Sequence, residues 1–366
     1  MDPFDEINEV IVEQDTFSPE QERACISLCM IVRDEEFCIE RVLSSARPYV
    51  QEIIVVDTGS VDRTVAIAEP YADIIKYFEW INDFSAARNF SLALAGQPWI
   101  LVLDADEFIA PEDYKSLSKL TCSTIHDGYL LIQRNYIDNP DSDKATWNPI
   151  GPSDKYSGGF SGYSNNQILR LFKNSHSIKY SGQIHEIVNP SIASERIGES
   201  DIVIHHYHDD PSNPTEKHFL RNLAIQEALI SANRASGRDY LSAGAGHLTT
   251  TGNLEKAKEY FSKAMALGED PGTALEALAE TYYRDGKFTA ALGLYQQLYD
   301  LNLGSSAVLN NLSNLLLKSG DLMGSARLLD ELLGRRIEDP VRKQRIEQNL
   351  AAIRRAINEE DIHTDK

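Results

Sequence analysis

Three short turns dictate how the second half of this chain can fold. Thr251-Gly252-Asn253-Leu254, Asp285-Gly286-Lys287-Phe288 and Ser319-Gly320-Asp321-Leu322 recur at a spacing of 34 residues. The flanks keep the same register: Leu248, Tyr282 and Leu316 correspond, as do Phe261, Tyr295 and Leu329, and Ala264, Leu298 and Leu332. A helical hairpin of this length cannot bury its apolar face alone, so successive hairpins must stack. Glycine at each turn permits the left-handed backbone that ends a helix. The charged amphipathic stretch from Pro340 to Glu359 suits a terminal cap, because an end repeat needs a polar outer face. Residues 240–366 are thus expected to form stacked hairpins, with residues 215–239 as a linking helix.

A helix–turn–helix period of 34 with glycine in the turn is the tetratricopeptide signature. Residues 23–214 follow another grammar. Apolar runs at Ala24–Val32, Glu52–Asp57, Asp73–Phe78 and Trp99–Leu103 alternate with helical stretches at Glu36–Arg47, Asp62–Glu69 and Phe84–Ala95. Strands that read as continuous apolar runs are buried on both faces, which predicts an α/β, Rossmann-like and mostly parallel sheet covered by helices. Residues 139–166 break the alternation. They are rich in Gly, Pro, Ser, Asp and Asn, with Trp147, Tyr156, Phe160 and Tyr163 interspersed, which fits a lid or binding loop. Further strands are expected at Gln167–Lys173, Ile178–Glu186 and Asp201–Tyr207.

The net charge of −21 argues against a nucleic-acid binder, whose footprint is a basic face. It also argues against electrostatic attachment to an anionic membrane. No apolar run reaches the ~20 residues needed to span a bilayer. Residues 1–22 are acidic and lack the basic and apolar regions of a secretory signal, so they read as a mobile tail. Cys25, Cys29, Cys38 and Cys122 have no paired spacing and read as reduced thiols of a cytoplasmic protein.

The chemistry gathers where the strands end. After Trp99-Ile-Leu-Val-Leu, Asp104 and Asp106 stand two residues apart, so extended backbone turns both carboxylates to one side. At the mouth of a parallel sheet, such a pair can hold a hard divalent cation that keeps positions free for phosphate oxygens. Asp34, Glu35 and Glu36 follow the first strand, where acidic groups either accept from ribose hydroxyls or complement a helix dipole. Asp57 ends the second strand, placed to accept a base N–H. Arg88 lies on an otherwise apolar helix and needs a partner, either a carboxylate such as Asp104 or a phosphate. Late in the domain, His185-Glu186 and the group His205, His206, His208 supply candidate ligands. A histidine ligand tilts the preference from Mg²⁺ to Mn²⁺.

Taken in order, Ile-Ser-Leu-Cys-Met-Ile-Val-Arg-Asp-Glu-Glu, Ile-Val-Val-Asp-Thr-Gly-Ser-Val-Asp-Arg-Thr, Asp-Phe-Ser-Ala-Ala-Arg-Asn and Trp-Ile-Leu-Val-Leu-Asp-Ala-Asp-Glu resemble family 2 glycosyltransferases. More narrowly, the chain resembles the branch carrying tetratricopeptide repeats, which includes bacterial peptide glycosyltransferases. Tyr180-Ser-Gly-Gln-Ile-His-Glu and His206-Tyr207, followed by Lys217 and Arg221-Asn222-Leu223, extend the likeness over residues 24–335. The resemblance implies a GT-A fold and inverting transfer of a sugar from a nucleotide-sugar, with UDP as the nucleotide. Val32, Arg33, Glu35 and Asp57 would then hold base and ribose, and Arg88 and Asp104 would lie near the nucleotide. Asp104, Asp106 and His206 would hold Mn²⁺ or Mg²⁺. Glu186, with His185 beside it, would be the catalytic carboxylate. The family's Tyr-Gly-Tyr after the histidine is here Tyr207-His208-Asp209, which leaves His205, His206 and His208 hard to separate.

The repeats imply a protein or peptide acceptor, or a homodimer interface. Polysaccharide or glycolipid acceptors and a non-enzymatic scaffold are the competing readings. A haloacid dehalogenase-type phosphatase fits poorly, because Phe108 stands where that motif has Thr or Val. A nucleotidyltransferase would need a glycine-rich, lysine-bearing phosphate loop, and the sequence has none.

Overall fold

In a computed structural model, the protein is described over residues 24–137, 147–151, 154–207, 215–335, 337 and 340–364. The acidic segment 1–22, His208, Asp209 and Pro211–Pro214 lie outside the described residues. The chain divides into two compact units, with the main break between Pro214 and Thr215.

The first unit is a layered α/β domain. Its strands are β1 (Ala24–Val32), β2 (Val50–Asp57), β3 (Ile74–Tyr77), β4 (Trp99–Val102), β5 (Glu107–Ile109), β6 (Gly128–Ile137), β7 (Trp147–Pro149), β8 (Gly162–Lys173) and β9 (Ile197–Tyr207). Its helices are α1 (Ile39–Ala46), α2 (Thr64–Ala68), α3 (Phe84–Leu94) and α4 (Pro111–Thr121). The sheet runs β3-β2-β1-β4-β8-β6-β9-β5, and β7 pairs with β8. The first four strands are parallel. Beyond them the sheet is mixed, because β8 runs antiparallel to both β4 and β6 while β9 returns parallel to β6.

The continuous apolar runs have the expected cause. On β1, Ile26, Leu28, Met30 and Val32 enter one core with Val42, Leu43, Phe108 and Leu117. Cys29, from the other set, enters a second core with Ile54, Val56, Leu92 and Val102. Period-two alternation with an apolar core on each face leaves little room for polar residues along the strand. Polar groups collect instead where strands stop. Val32 pairs with Asp57 and Cys29 with Val102, so Asp57 and the Asp104 turn leave the sheet at the same edge.

The stretch 178–186 is not a strand. An isolated bridge joins Ser181 to Ile187, and the chain between is bent by Gly182 at φ 102° and His185 at φ 54°. Extended backbone cannot pass through two such residues. The described part of the 139–166 loop is packed rather than loose. Tyr156 and Phe160 are buried in the first core, and Tyr207 Oη donates to the Tyr156 carbonyl.

The second unit is helical: α5 (Thr215–Ser231), α6 (Gly237–Gly246), a π turn (His247–Thr251), α7 (Leu254–Ala266), α8 (Pro271–Arg284), α9 (Phe288–Asp300), α10 (Ser306–Ser319), α11 (Leu322–Gly334) and α12 (Pro340–Thr364). Gly252, Gly286 and Gly320 stand at φ 67°, 72° and 88°, the left-handed values the repeated turns require. Phe261, Tyr295 and Leu329 are all buried, as are Ala264, Leu298 and Leu332, so equivalent positions do equivalent work in each repeat. On α12, Ile346, Leu350 and Ile353 face inward, and the residues between them are exposed. None of the described helices is long and apolar enough to cross a membrane.

Candidate active site

The loops after β1 and β2 are stitched together at the rim. Val32 offers its carbonyl to both the N–H and the hydroxyl of Thr58, at 2.9 and 3.0 Å. Asp34, in the left-handed region at φ 58°, accepts from the Val61 N–H at 2.8 Å. The Glu35 N–H donates to Thr64 Oγ1, and the Glu35 carboxylate accepts from the Cys38 thiol at 3.3 Å. Asp57 is buried and takes the Ser60 N–H at 2.9 Å. Arg33 reaches outward, with Nε 3.9 Å from Asp34. The expected base and ribose residues therefore form one rim, although the Val32 carbonyl is already engaged by Thr58.

The next layer is ionic. Arg88 is buried on α3, whose N-cap Asp83 accepts from the Ala86 N–H. Its guanidinium donates through Nη2 to Asp104 Oδ1 and through Nε to Glu186 Oε1, each at 2.7 Å. Carboxylates, two of them, are its partners in this structure. Helix α3 also fixes the loop that carries Glu186. The Phe84 N–H donates to the Gln183 carbonyl, and the Asn89 amide pairs with both backbone groups of Tyr180 at 2.9 Å.

Asp104 meets a second guanidinium. Arg170 on β8 donates from Nη2 to Asp104 Oδ2 at 2.7 Å and to Glu107 Oε1 at 3.0 Å. Glu107 is wholly buried and also accepts from Gln133 Nε2 and the Asp104 N–H. Partial burial would raise the Asp104 carboxyl, but Arg170 and Arg88 on its two oxygens hold it well below the usual carboxylate range.

Strand β9 separates the histidines. Its alternation sends His205 into the core, where the ring stacks on Phe108 and Nδ1 lies 2.7 Å from Tyr136 Oη. Burial lowers the His205 pKa to about 3, so this ring is neutral. His206 faces the other way. Its Nε2 lies 3.1 Å from Asp106 Oδ2, and its Nδ1 lies 2.7 Å from Asn135 Oδ1. Burial opposes protonation of His206, but Asp106 beside it wins and lifts its pKa to about 9. His208 lies outside the described residues. Of the three residues expected to ligate metal, Asp106 and His206 stand side by side while Asp104 turns to the arginines. A carboxylate oxygen and an imidazole nitrogen are a donor pair that fits Mn²⁺. Among the described residues, no group of three or more His, Cys, Asp or Glu side chains is placed to hold a metal.

Sequence reading passed over Arg170, Gln133 and Asn135, and gave Glu107 no role. Arg170 carried a usable signal: a charge in the apolar run Ile168-Leu169-Arg170-Leu171-Phe172, the argument already applied to Arg88. Gln133 and Asn135 carried none, because nothing local shows that β6 lies beside β9.

A divided carboxylate layer, an arginine bridge and a carboxylate–imidazole pair thus gather at the edge where the parallel strands end, the place where open α/β sheets bind ligands. Residues 27–181 match Glycosyl transferase family 2. The matched segment lies within the α/β unit, which resembles that family, and helical hairpins with a 34-residue period follow it. A TPR repeat-containing protein of Synechococcus elongatus is 30% identical over 75% of this chain and 65% of its own length. The SPbeta prophage-derived glycosyltransferase SunS of Bacillus subtilis is 26% identical over 56% of this chain and 45% of its own length. The chain thus spans less than two thirds of either relative. S. aureus TarS 1-349 in complex with UDP-GlcNAc aligns over 71% of this chain and 92% of its own, at 14% identity and a TM-score of 0.38.

Proposed function

We propose that this protein transfers a sugar from a nucleotide-sugar, with UDP as the expected nucleotide, to a protein or peptide acceptor with inversion at the anomeric carbon. The observation that carries the reading is the Asp106–His206 pair beside Asp104, with Glu186 held on the far side of the shared Arg88. Asp106 and His206 would hold a divalent cation, which when bound supplies charge neutralisation at the departing diphosphate. Arg88 Nε donates to Glu186 Oε1 at 2.7 Å and so orients the carboxylate. It takes the proton of the acceptor hydroxyl or thiol as that atom bonds to the anomeric carbon, and the bond from that carbon to the diphosphate oxygen breaks. Asp57 and the 33–35 turn provide acceptors for base and ribose. The acceptor assignment is supported by the repeats, whose architecture serves to hold other polypeptides.

The test is a thermal-shift panel of UDP, GDP, CDP and dTDP, each with and without Mn²⁺. A ligand at ~100 times its Kd stabilises by ~2.7 kcal/mol. One nucleotide raising the unfolding temperature only in the presence of metal is the expected result. No response to any of the four puts a non-enzymatic scaffold ahead.

A further inference from the structure

Asp104 has both carboxylate oxygens committed, one to Arg88 and one to Arg170, each at 2.7 Å. Arg170 is only 6% exposed and is anchored from below by the wholly buried Glu107. Glu107 is in turn held by Gln133 of β6 and by the Asp104 N–H, so β6, β8 and the turn into β5 together fasten one carboxylate. Direct ligation by Asp104 would bring a divalent charge against two fixed guanidiniums and break short charge-assisted hydrogen bonds. Asp106 is placed differently: its side chain is 37% exposed and faces His206. One carboxylate and one imidazole leave a hard cation dependent on oxygens from elsewhere.

We infer that Arg170 is a positioning residue that withholds Asp104 from the cation, so that the cation is held weakly alone and more tightly together with a nucleotide diphosphate. This rests on the donor-site reading above. It makes metal and nucleotide binding mutually dependent, and by linkage each must tighten the other by the same factor. It also assigns Arg170 an effect opposite to that of an ordinary structural residue, because its loss should improve binding of the metal alone.

The experiment is Mn²⁺ uptake by the full chain, followed through the electron paramagnetic resonance signal of the free ion, with and without the nucleotide. Wild type should bind Mn²⁺ about tenfold or more tightly with UDP than without it. Arg170→Met frees one oxygen of Asp104, so it should bind Mn²⁺ alone about tenfold more tightly than wild type, with a smaller gain from UDP. Arg170→Lys keeps a positive charge at the position and should stay close to wild type. Should Arg170→Met fail to fold because Glu107 is left buried and unpaired, the double variant Arg170→Met/Glu107→Gln removes both charges and is read the same way. Unchanged uptake of Mn²⁺ alone by the Arg170→Met or double variant overturns the role of Arg170 while leaving the donor site standing. Absence of any nucleotide-linked uptake in wild type overturns both.

Discussion

Arg88 shows how much one side chain can organise. Its head bridges a carboxylate on the β4 side to one on the 180–187 loop, two positions 82 residues apart in the chain. This gives the two carboxylates separable losses. Glu186→Gln should lower kcat by ~10²–10⁴-fold, the usual worth of a general base. Nucleotide binding in the presence of Mn²⁺ should persist in that variant. Asp106→Ala should instead abolish metal-dependent nucleotide binding. Steady-state kinetics beside a binding titration distinguishes them, and unchanged turnover in Glu186→Gln would remove Glu186 from the reaction. His205 and His206 make the same point about single residues. Adjacent in sequence, they face opposite sides of one strand, and one is held neutral in the core while the other sits against Asp106.

At the scale of elements, the loop that presents Glu186 is governed by backbone geometry. Gly182 sits at φ 102°, and a Cβ there would stand 3.2 Å from the Ile184 carbonyl oxygen. Alanine must therefore strain the turn, at a cost of about 1–3 kcal/mol. Gly182→Ala is expected to lower the unfolding temperature and to reduce turnover more than nucleotide affinity, because it moves the base and spares the donor rim. A variant with wild-type turnover would show that the turn does not aim Glu186. Three residues of α3 oppose such movement through four hydrogen bonds, of which the Arg88 bridge is the ionic one.

For the molecule as a whole, a net charge of −21 makes acid the relevant stress. Glu227 on α5 shows the direction. Burial would raise its carboxyl, but hydrogen bonds from Lys256, His247 and Tyr260 outweigh this and hold it below the ordinary value. A carboxyl depressed in the folded state contributes stability above its unfolded pKa and loses it as pH falls through the folded value. Wild type should therefore exceed Glu227→Gln in unfolding temperature above about pH 5, and the two curves should converge below about pH 4. Parallel curves across that range would show that the Glu227 contacts add nothing.

Periodicity was enough to establish the stacked hairpins and the first part of the sheet. A 34-residue recurrence of glycine turns is satisfied by stacked hairpins, and apolar runs punctuated by helices point to a covered parallel sheet, which holds for β1 to β4 but not for the mixed remainder. The carboxylates at strand ends followed from the same logic, because a strand apolar on both faces must place its chemistry where it stops. What lay beyond reach involved pairings between distant segments. That Ile178–Glu186 bends rather than extends depends on His185 adopting a left-handed backbone and on α3 gripping the loop. That Asp104 answers to two arginines depends on β8 crossing to lie antiparallel against β4, which brings Arg170 to a residue 66 positions earlier. Local sequence sets the period and the ends of elements, because those are short-range steric and burial effects. Which charges meet is decided only when the sheet closes its order and desolvates them together.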